Sequence, residues 1–289
     1  MKVVRARTAG FCLGVSLALR CLDRELESVS AGAGQRLITL GPIIHNPLVM
    51  RHYARMGVLC ETDISRVASG DRVVIRAHGI PRGMQETLAG IGAKIVDATC
   101  PKVKKAQKAI GKQYANGGTL LLFGEREHPE VRGLLSYAGE QAQVFGSLED
   151  LAALELDPDK PYFLAAQTTQ ESSTFARARE KIRRLLGRDI PFLDTICDAT
   201  RKRQQEATDL SSSVTALVVV GGFNSGNTKR LAEVAAGHGV VALHVEQPSD
   251  LSADCVARIR QSGGPVGLTA GASTPDEHIA AVEAFLLSL

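Results

Sequence analysis

Short apolar runs of strand length alternate with helical patterns along the whole chain, an arrangement typical of α/β units with parallel sheets. The pattern predicts strands at 37–40, 58–60, 72–77 and 93–97 in a first unit and at 119–123, 143–145, 162–165 and 192–195 in a second. A third unit has strands at 216–220, 240–245 and 265–268 and ends in an amphipathic helix at 276–287. We expect residues 2–6, at the N-terminus, to supply the fourth strand that this unit lacks.

The equal strand counts predict three pseudo-threefold-related α/β lobes, a trefoil-like arrangement in which each lobe has a mostly parallel four-stranded sheet with helices. Lobe 1 is predicted to cover residues 13–100 and lobe 2 residues 101–196. Lobe 3 is predicted to cover residues 197–289, completed by the N-terminal strand in residues 1–12. In open α/β sheets, ligands bind beyond the carboxyl ends of the strands, so the loops at those ends are the candidate site.

Three of the six cysteines occupy the same place in this repeat, between the end of a strand and the start of a helix. They are Cys12, Cys100 and Cys197, spaced by roughly a third of the chain. Helix N-termini favour negative charge, and thiolate is the form of cysteine that binds metal. Three converging thiolates suit a soft metal, and an iron–sulfur cluster on three cysteines would keep one iron open. A Cys₃ zinc site with water is an alternative at this point.

The other three cysteines, Cys21, Cys60 and Cys255, fall outside the repeat phase. We interpret them as fillers of space in cores, the commonest role of free cysteine.

Polar side chains recur in the loops that follow the strands. His45, His78 and His128 follow strands beside Gly, Pro or Asn, the loop position where sites are built. With Thr168, Ser225, Asn227 and Ser273 they would form a donor-rich pocket suited to a phosphate or diphosphate. Residues 224–227 are typical of an anion-binding helix N-terminus, although a simple N-cap explains them nearly as well. Glu130 is a hypothetical proton donor, and the helix dipole alone also favours an acid there.

Composition narrows the functional classes. The chain has 289 residues, 44% of them hydrophobic, a net charge of +3, 4% aromatic residues and no Trp. The basic stretches at 102–112 and 179–188 are interpreted as solvated helix faces, so no nucleic-acid binding is predicted. No apolar run approaches the roughly 20 residues that cross a bilayer, and no secretory signal is evident, so we predict no membrane association and a cytoplasmic location. The Gly-rich stretches match no nucleotide fingerprint, and no bound nucleotide is predicted.

Eight motifs together resemble the 4-hydroxy-3-methylbut-2-enyl diphosphate reductases, the IspH/LytB family, over essentially the whole chain. They are GFCLGV at 10–15, HN at 45–46, AHG at 77–79, DATCP at 97–101, HPEV at 128–131, QTT at 167–169, ICDAT at 196–200 and NSGN at 224–227. The resemblance implies three lobes around a central [4Fe–4S] cluster on Cys12, Cys100 and Cys197. The open iron would take the substrate hydroxyl.

The resemblance also implies roles for the polar loops and for partners. His45, His78, His128, Ser225, Asn227 and Ser273 would hold the diphosphate of the allylic substrate. Glu130, with Thr168 nearby, would deliver protons so that the hydroxyl leaves as water. Ferredoxin or flavodoxin would bring two electrons singly, giving isopentenyl or dimethylallyl diphosphate, the last step of the methylerythritol phosphate route to isoprenoids.

Two positions depart from the family pattern. Gly226 stands where many relatives have a second serine, so only its backbone N–H can substitute for that hydroxyl. Glu127 stands where a glycine is common, and we expect its carboxylate to point away from the anion site.

Two other hypotheses are compatible with a cluster on three cysteines. A quinolinate synthase-like enzyme would act on carboxylates, which the His and Ser/Thr/Asn motifs fit less well. A non-catalytic iron–sulfur sensor or electron carrier should coordinate every iron and has no need of a polar ring.

Overall fold

The structure is a computed structural model that describes residues 1–30 and 35–289. The strands are β1 (Val3–Arg5), β2 (Leu37–Leu40), β3 (Leu59–Glu61), β4 (Arg72–Ile75), β5 (Lys94–Asp97), β6 (Thr119–Phe123), β7 (Gln143–Phe145), β8 (Tyr162–Ala166), β9 (Ala216–Val220), β10 (Val241–Val245) and β11 (Val266–Ala270). The helices are α1 (Leu13–Ser30), α2 (Pro47–Arg55), α3 (Arg82–Ile91), α4 (Pro101–Ala115), α5 (Pro129–Leu135), α6 (Leu148–Ala152), α7 (Ser172–Leu186), α8 (Asp198–Ser211), α9 (Gly226–Gly237), α10 (Ala253–Gln261) and α11 (Asp276–Ser288).

The strands form three sheets in which every pairing between neighbouring strands is parallel, which confirms the predicted α/β class. The sheet orders are β3-β2-β4-β5, β7-β6-β8 and β10-β9-β11-β1. In each sheet the first strand of the unit lies between its second and third strands. β1 pairs with β11, with Val4 opposite Gly267, so the N-terminal strand completes the last sheet as predicted.

The central strands β2, β6 and β9 have the predicted bounds, and β6 and β9 are almost wholly apolar. Continuous apolar strands are typical of parallel sheets that helices cover on both faces. Accordingly, two separate apolar cores include side chains of β9, and two others include side chains of β6. The cores make each sheet a rigid platform for the loops at its carboxyl end.

The predicted fourth strand of the second unit, at 192–195, is wrong as a strand. Only a single parallel bridge joins Phe192 to Leu164. Further along, the hydroxyl of Thr195 replaces the main-chain ladder: it accepts from the Ala166 N–H at 2.8 Å and donates to the Ala166 carbonyl at 2.6 Å. Pro191, which precedes the segment, has no N–H to donate. Two main-chain bonds of Leu164, from the Leu193 N–H at 2.7 Å and to the Pro191 carbonyl at 2.9 Å, and the Thr195 hydroxyl together hold this segment beside β8.

The chain divides into two compact units by its internal contacts. Unit 1 comprises Met1–Ser16, Ile44–Arg51 and Asp198–Leu289, and unit 2 comprises Leu17–Ile43 and His52–Cys197. The sheet containing β9 lies in unit 1, and the sheets containing β2 and β6 lie in unit 2. The lobe boundaries at residues 100 and 196 stay a prediction.

The cysteines outside the repeat differ in their surroundings. Cys255 packs against the core of unit 1, as expected of a filler. Cys60 is exposed on β3, at the edge of its sheet, so the expectation that it fills a core is wrong.

Among the residues the structure describes, no helix has both the length and the apolar character needed to span a bilayer.

Candidate active site

The same backbone connection follows the central strand of each sheet. A glycine directly after that strand donates its N–H to the carbonyl of the last residue of the neighbouring second strand. The three bonds are Gly41 to Glu61 at 2.6 Å, Gly124 to Phe145 at 2.9 Å and Gly221 to Val245 at 2.8 Å. Each polar loop of the candidate site therefore leaves its sheet in the same way.

The three repeat-phase cysteines are held by a second recurring bond. Each cysteine N–H donates to the carbonyl of the second residue beyond the third strand of its sheet. The bonds are Cys12 to Ala272 at 3.1 Å, Cys100 to Ala77 at 2.9 Å and Cys197 to Thr168 at 3.0 Å. The internal repeat thus fixes the backbone of all three thiols at the carboxyl ends of their sheets.

All three cysteines are free thiols, half-buried, and each directly precedes a helix: α1, α4 or α8. Cys100 is the N-cap of α4, with Pro101 as the first helical residue. Cys12 Sγ lies 3.4 Å from the Val15 N–H of the first turn of α1. The thiolate is the form of cysteine that coordinates metals. Cys12 belongs to unit 1, and Cys100 and Cys197 belong to unit 2.

Glu130 is a buried carboxyl with a dedicated partner in unit 2. It lies in the first turn of α5 and is 1% exposed. Its Oε1 accepts from the Thr168 N–H at 2.6 Å, and its Oε2 accepts from the Thr168 hydroxyl at 2.9 Å. Burial raises the pKa of Glu130 to about 7, against the lowering effect of both Thr168 bonds. Such a carboxyl is a competent proton donor near neutral pH.

Thr168 links that carboxyl to a cysteine. Its N–H and hydroxyl bind Glu130, while its carbonyl accepts from the Cys197 N–H. One residue therefore positions both the candidate acid and the backbone of a candidate metal ligand.

His128 is the N-cap of α5, and its Nδ1 accepts from the Glu130 N–H at 3.1 Å. An amide N–H only donates, so in the neutral ring the proton is on Nε2, which is a donor. The ring of His78 meets that of His128 edge to face, with centroids 5.5 Å apart. Unit 2 thus brings His78, His128, Glu130 and Thr168 together.

Unit 1 brings together the remaining predicted substrate residues through its loops. The Ser273 hydroxyl donates to the His45 carbonyl at 3.0 Å, and Asn46 Nδ2 donates to the Ser273 carbonyl at 3.0 Å. The loop before α9 approaches the same carbonyl, because a Cβ on Gly222 would lie only 2.7 Å from His45 O. Ser225 caps α9, accepting from the Thr228 N–H at 3.3 Å.

Asn227, in the first turn of α9, is 6% exposed. Its Nδ2 is buried and has no hydrogen-bond partner among the described residues. Burying an unpaired amide donor is costly, so this atom marks a place where a ligand acceptor fits.

Glu127, one of the two positions that depart from the family pattern, has a 77% exposed side chain that pairs with Arg132. Its carboxylate faces solvent, as expected.

Sequence reasoning assigned no role to two residues that support the site. Arg203 is 4% exposed on α8, and its Nη2 donates to the Gly10 carbonyl at 2.7 Å, two residues before Cys12. The available signal was a charged residue on the apolar face of α8, with the same phase as Ala207 and Leu210. Gln167 is fully buried, and its Oε1 accepts from the Glu125 N–H at 3.1 Å.

Comparison with known proteins places these features in a family. The family model described as "LytB protein" matches residues 3–287. The chain is 59% identical over its whole length and that of the relative to 4-hydroxy-3-methylbut-2-enyl diphosphate reductase of Nitratidesulfovibrio vulgaris strain Miyazaki F. It is 36% identical, over 96% of the chain and 93% of the relative, to the reductase of the same name of Thermoanaerobacter sp. strain X514.

Two solved structures are similar. The E-1-hydroxy-2-methyl-but-2-enyl-4-diphosphate reductase of Plasmodium falciparum superposes with a TM-score of 0.90 at 24% identity, over 100% of this chain and 87% of that one. At that identity it supports the fold alone. A structure of (E)-4-hydroxy-3-methyl-but-2-enyl diphosphate reductase, described as the terminal enzyme of the non-mevalonate pathway, has a TM-score of 0.68 at 33% identity, with full coverage of both chains.

Proposed function

The chain belongs to the LytB protein family, and from that premise we propose that it reduces (E)-4-hydroxy-3-methylbut-2-enyl diphosphate to isopentenyl diphosphate and dimethylallyl diphosphate. The overall change adds two electrons and two protons, breaks the allylic C–O bond and releases water. The observation that carries this proposal is the buried Glu130 carboxyl, which Thr168 links to Cys197. A proton source beside a metal ligand is what removal of a hydroxyl as water requires.

We further propose that Cys12, Cys100 and Cys197 hold a [4Fe–4S] cluster with one open iron. The donor set fits, since three free, half-buried thiols recur with the same backbone bond before three helices. When bound, the cluster would supply electrons and a Lewis-acidic iron for the substrate hydroxyl. Zinc on the same ligands has no redox chemistry and could not support a reduction.

The substrate diphosphate is assigned to His45, His78, His128, Ser225, Asn227 and Ser273. The buried Asn227 Nδ2, with no described partner, supports this assignment, as does the Nε2–H tautomer of His128. Diphosphate oxygens accept hydrogen bonds strongly from such donors. Held at one end in this way, the allylic alcohol would be oriented for proton delivery, and water would be excluded.

Proton delivery is assigned to Glu130, with Thr168 as its positioning partner. A pKa of about 7 leaves roughly half of the carboxyls protonated at neutral pH. One proton goes to the leaving oxygen and the second reaches the allylic carbon. The two Thr168 bonds hold the carboxyl in one orientation throughout.

Ferredoxin or flavodoxin is proposed as the electron donor, because each carries the electrons singly. A cytoplasmic location is proposed because all six cysteines are free thiols, as in a reducing compartment.

The lobe limits given by the sequence are retained as a proposal, supported by the common strand order of the three sheets. The quinolinate synthase-like and non-catalytic alternatives are disfavoured, because the relatives compared above are named as diphosphate reductases.

The test is turnover by anaerobically purified, cluster-loaded protein with a small chemical reductant. We expect consumption of the allylic diphosphate and formation of both five-carbon diphosphates. Protein with a full cluster that binds the substrate but releases neither product would contradict the proposal.

A further inference from the structure

Helix α4 begins directly after Cys100, and all of its charged residues are cationic. It has lysines at 102, 104, 105, 108 and 112 and no acidic residue. Lys104 pairs with Asp97 at 2.7 Å. Lys105, Lys108 and Lys112 are exposed, and their side chains make no hydrogen bond or ion pair with any described residue. Spacings of three and four put these three residues, here called the lysine stripe, on one side of the helix.

The other basic helix, α7, shows that such charges are not always left without partners in this protein. Arg183 and Arg184 pair with Glu180 at 2.8 and 2.9 Å. Arg179 lies over the ring of Phe192, 4.0 Å from its centroid. Each of these three arginines has a partner within the fold, whereas the side chains of the lysine stripe have none among the described residues. A stripe of unpaired positive charges favours binding of a negatively charged surface.

A groove of about 330 Å³ lies beside the lysine stripe. Lys108 and Gln85, both exposed, contribute to its walls, so the groove opens to solvent. Thr99, which directly precedes Cys100, also lines it. A protein seated over the stripe and groove would therefore approach the backbone next to Cys100.

We propose that the lysine stripe and this groove form the docking surface for an acidic electron-transfer protein. The inference rests on the proposed function, in which electrons reach a centre held in part by Cys100. Electron transfer between proteins slows steeply with distance, so the donor must dock near such a ligand. At 1.5 Å per residue the stripe extends from about 7.5 to about 18 Å along α4 from Cys100, within the footprint of a small protein.

The positive charge of the lysine stripe also suits the rapid association expected of an electron-transfer protein. Electron-transfer complexes typically have small interfaces and short lifetimes, and complementary charge accelerates their formation, which lowers the dissociation constant. Three lysines with no competing carboxylate on the same helix provide that steering, and salt is expected to weaken it.

The experiment compares K105Q/K108Q/K112Q with the matched control R177Q/R183Q/R184Q on α7, which has the same net charge. The dissociation constant for a purified acidic ferredoxin is measured anaerobically by calorimetry at low ionic strength and again in about 0.5 M salt. We expect the lysine variant to bind about tenfold or more weakly at low salt, with the difference lost at high salt. The control is expected to stay within about twofold of wild type.

Equal weakening in both variants, or no weakening in the lysine variant, would overturn the docking surface. Turnover with a small chemical reductant separates this outcome from failure of the proposed function. The lysine variant should retain wild-type turnover with that reductant and lose it only with ferredoxin. Inactivity of wild type with the chemical reductant would remove the proposed function, while the binding comparison would still decide whether the surface docks an acidic protein.

Discussion

Replacement of Thr168 by valine tests the proton-donor assignment through a single hydrogen bond. The Thr168 hydroxyl donates to Glu130 Oε2 at 2.9 Å, and this bond lowers the pKa of a carboxyl that burial raises to about 7. A hydrogen bond to a charged group contributes about 1.5–3 kcal/mol, and about 1.4 kcal/mol corresponds to one pKa unit. Valine keeps the shape and removes the donor, so the pKa of Glu130 should rise to between about 8 and 9.

The sign of the effect on activity follows from the role of the acid. A proton donor must be protonated, so kcat/KM falls as pH rises above its pKa. In Thr168→Val the alkaline limb should therefore move to higher pH by about one to two units. The profile is measured anaerobically with a chemical reductant and the allylic diphosphate.

Thr169→Val is the matched control, because the Thr169 hydroxyl accepts from Gln167 Nε2 at 3.0 Å and makes no hydrogen bond to Glu130. Its alkaline limb should coincide with that of wild type. An unmoved limb in Thr168→Val, or a shift to lower pH, would refute the assignment of the limb to Glu130.

Two further substitutions separate the acid from the anion site. Glu130→Gln should lower kcat by about 10²–10⁴-fold and abolish the alkaline limb of the pH profile. Glu127→Gln, which changes an exposed carboxylate, should have little effect on kcat. Full turnover in Glu130→Gln would eliminate the proton-donor role. Asn227→Ala should raise KM for the allylic diphosphate about tenfold or more by removing a donor to a charged group, and Asn224→Ala, exposed in the same loop, should not. An unchanged KM in Asn227→Ala would remove this residue from the anion site.

Much of the fold follows from the periodicity of apolar residues. The central strands are short, continuous apolar runs with turn residues at both ends, so their bounds were predicted correctly. The pairing of β1 with β11 was predicted because the third unit lacked a strand and the N-terminus offered one. The largest errors in the predicted strand bounds, two residues each, fall at the carboxyl ends of the interior strands β4 and β11, whereas the edge strand β7 has its predicted bounds.

The failures have a common physical cause, namely tertiary contacts that leave no local pattern. Residues 192–195 have strand character, but their main-chain pairing with β8 stops after Leu193, and the Thr195 hydroxyl makes the next two hydrogen bonds in its place. Cys60 lies in a short apolar run at a sheet edge, where one side remains in solvent. The bond of Arg203 to Gly10 spans most of the chain and is evident only once both segments have folded.

The candidate site was more predictable than its electrostatics. The cysteines and polar loops follow strand ends, and this placement can be inferred once the strands are assigned. The pKa of Glu130 depends on its burial and on two bonds from Thr168, which no spacing in the sequence reveals. The same holds for the tautomer of His128, which is set by one backbone amide.

The central claim is that three thiols, fixed by the same backbone bond in three sheets, hold one four-iron cluster with an open iron. Mössbauer spectroscopy of anaerobic ⁵⁷Fe-enriched protein, with and without the allylic diphosphate, tests it most directly. Wild type and Cys60→Ser should show a four-iron cluster in which one iron site changes on substrate addition, and Cys12→Ser, Cys100→Ser and Cys197→Ser should each lose that cluster. An intact four-iron spectrum in any of these three variants, or a wild-type spectrum in which no iron site changes on substrate addition, would contradict the claim.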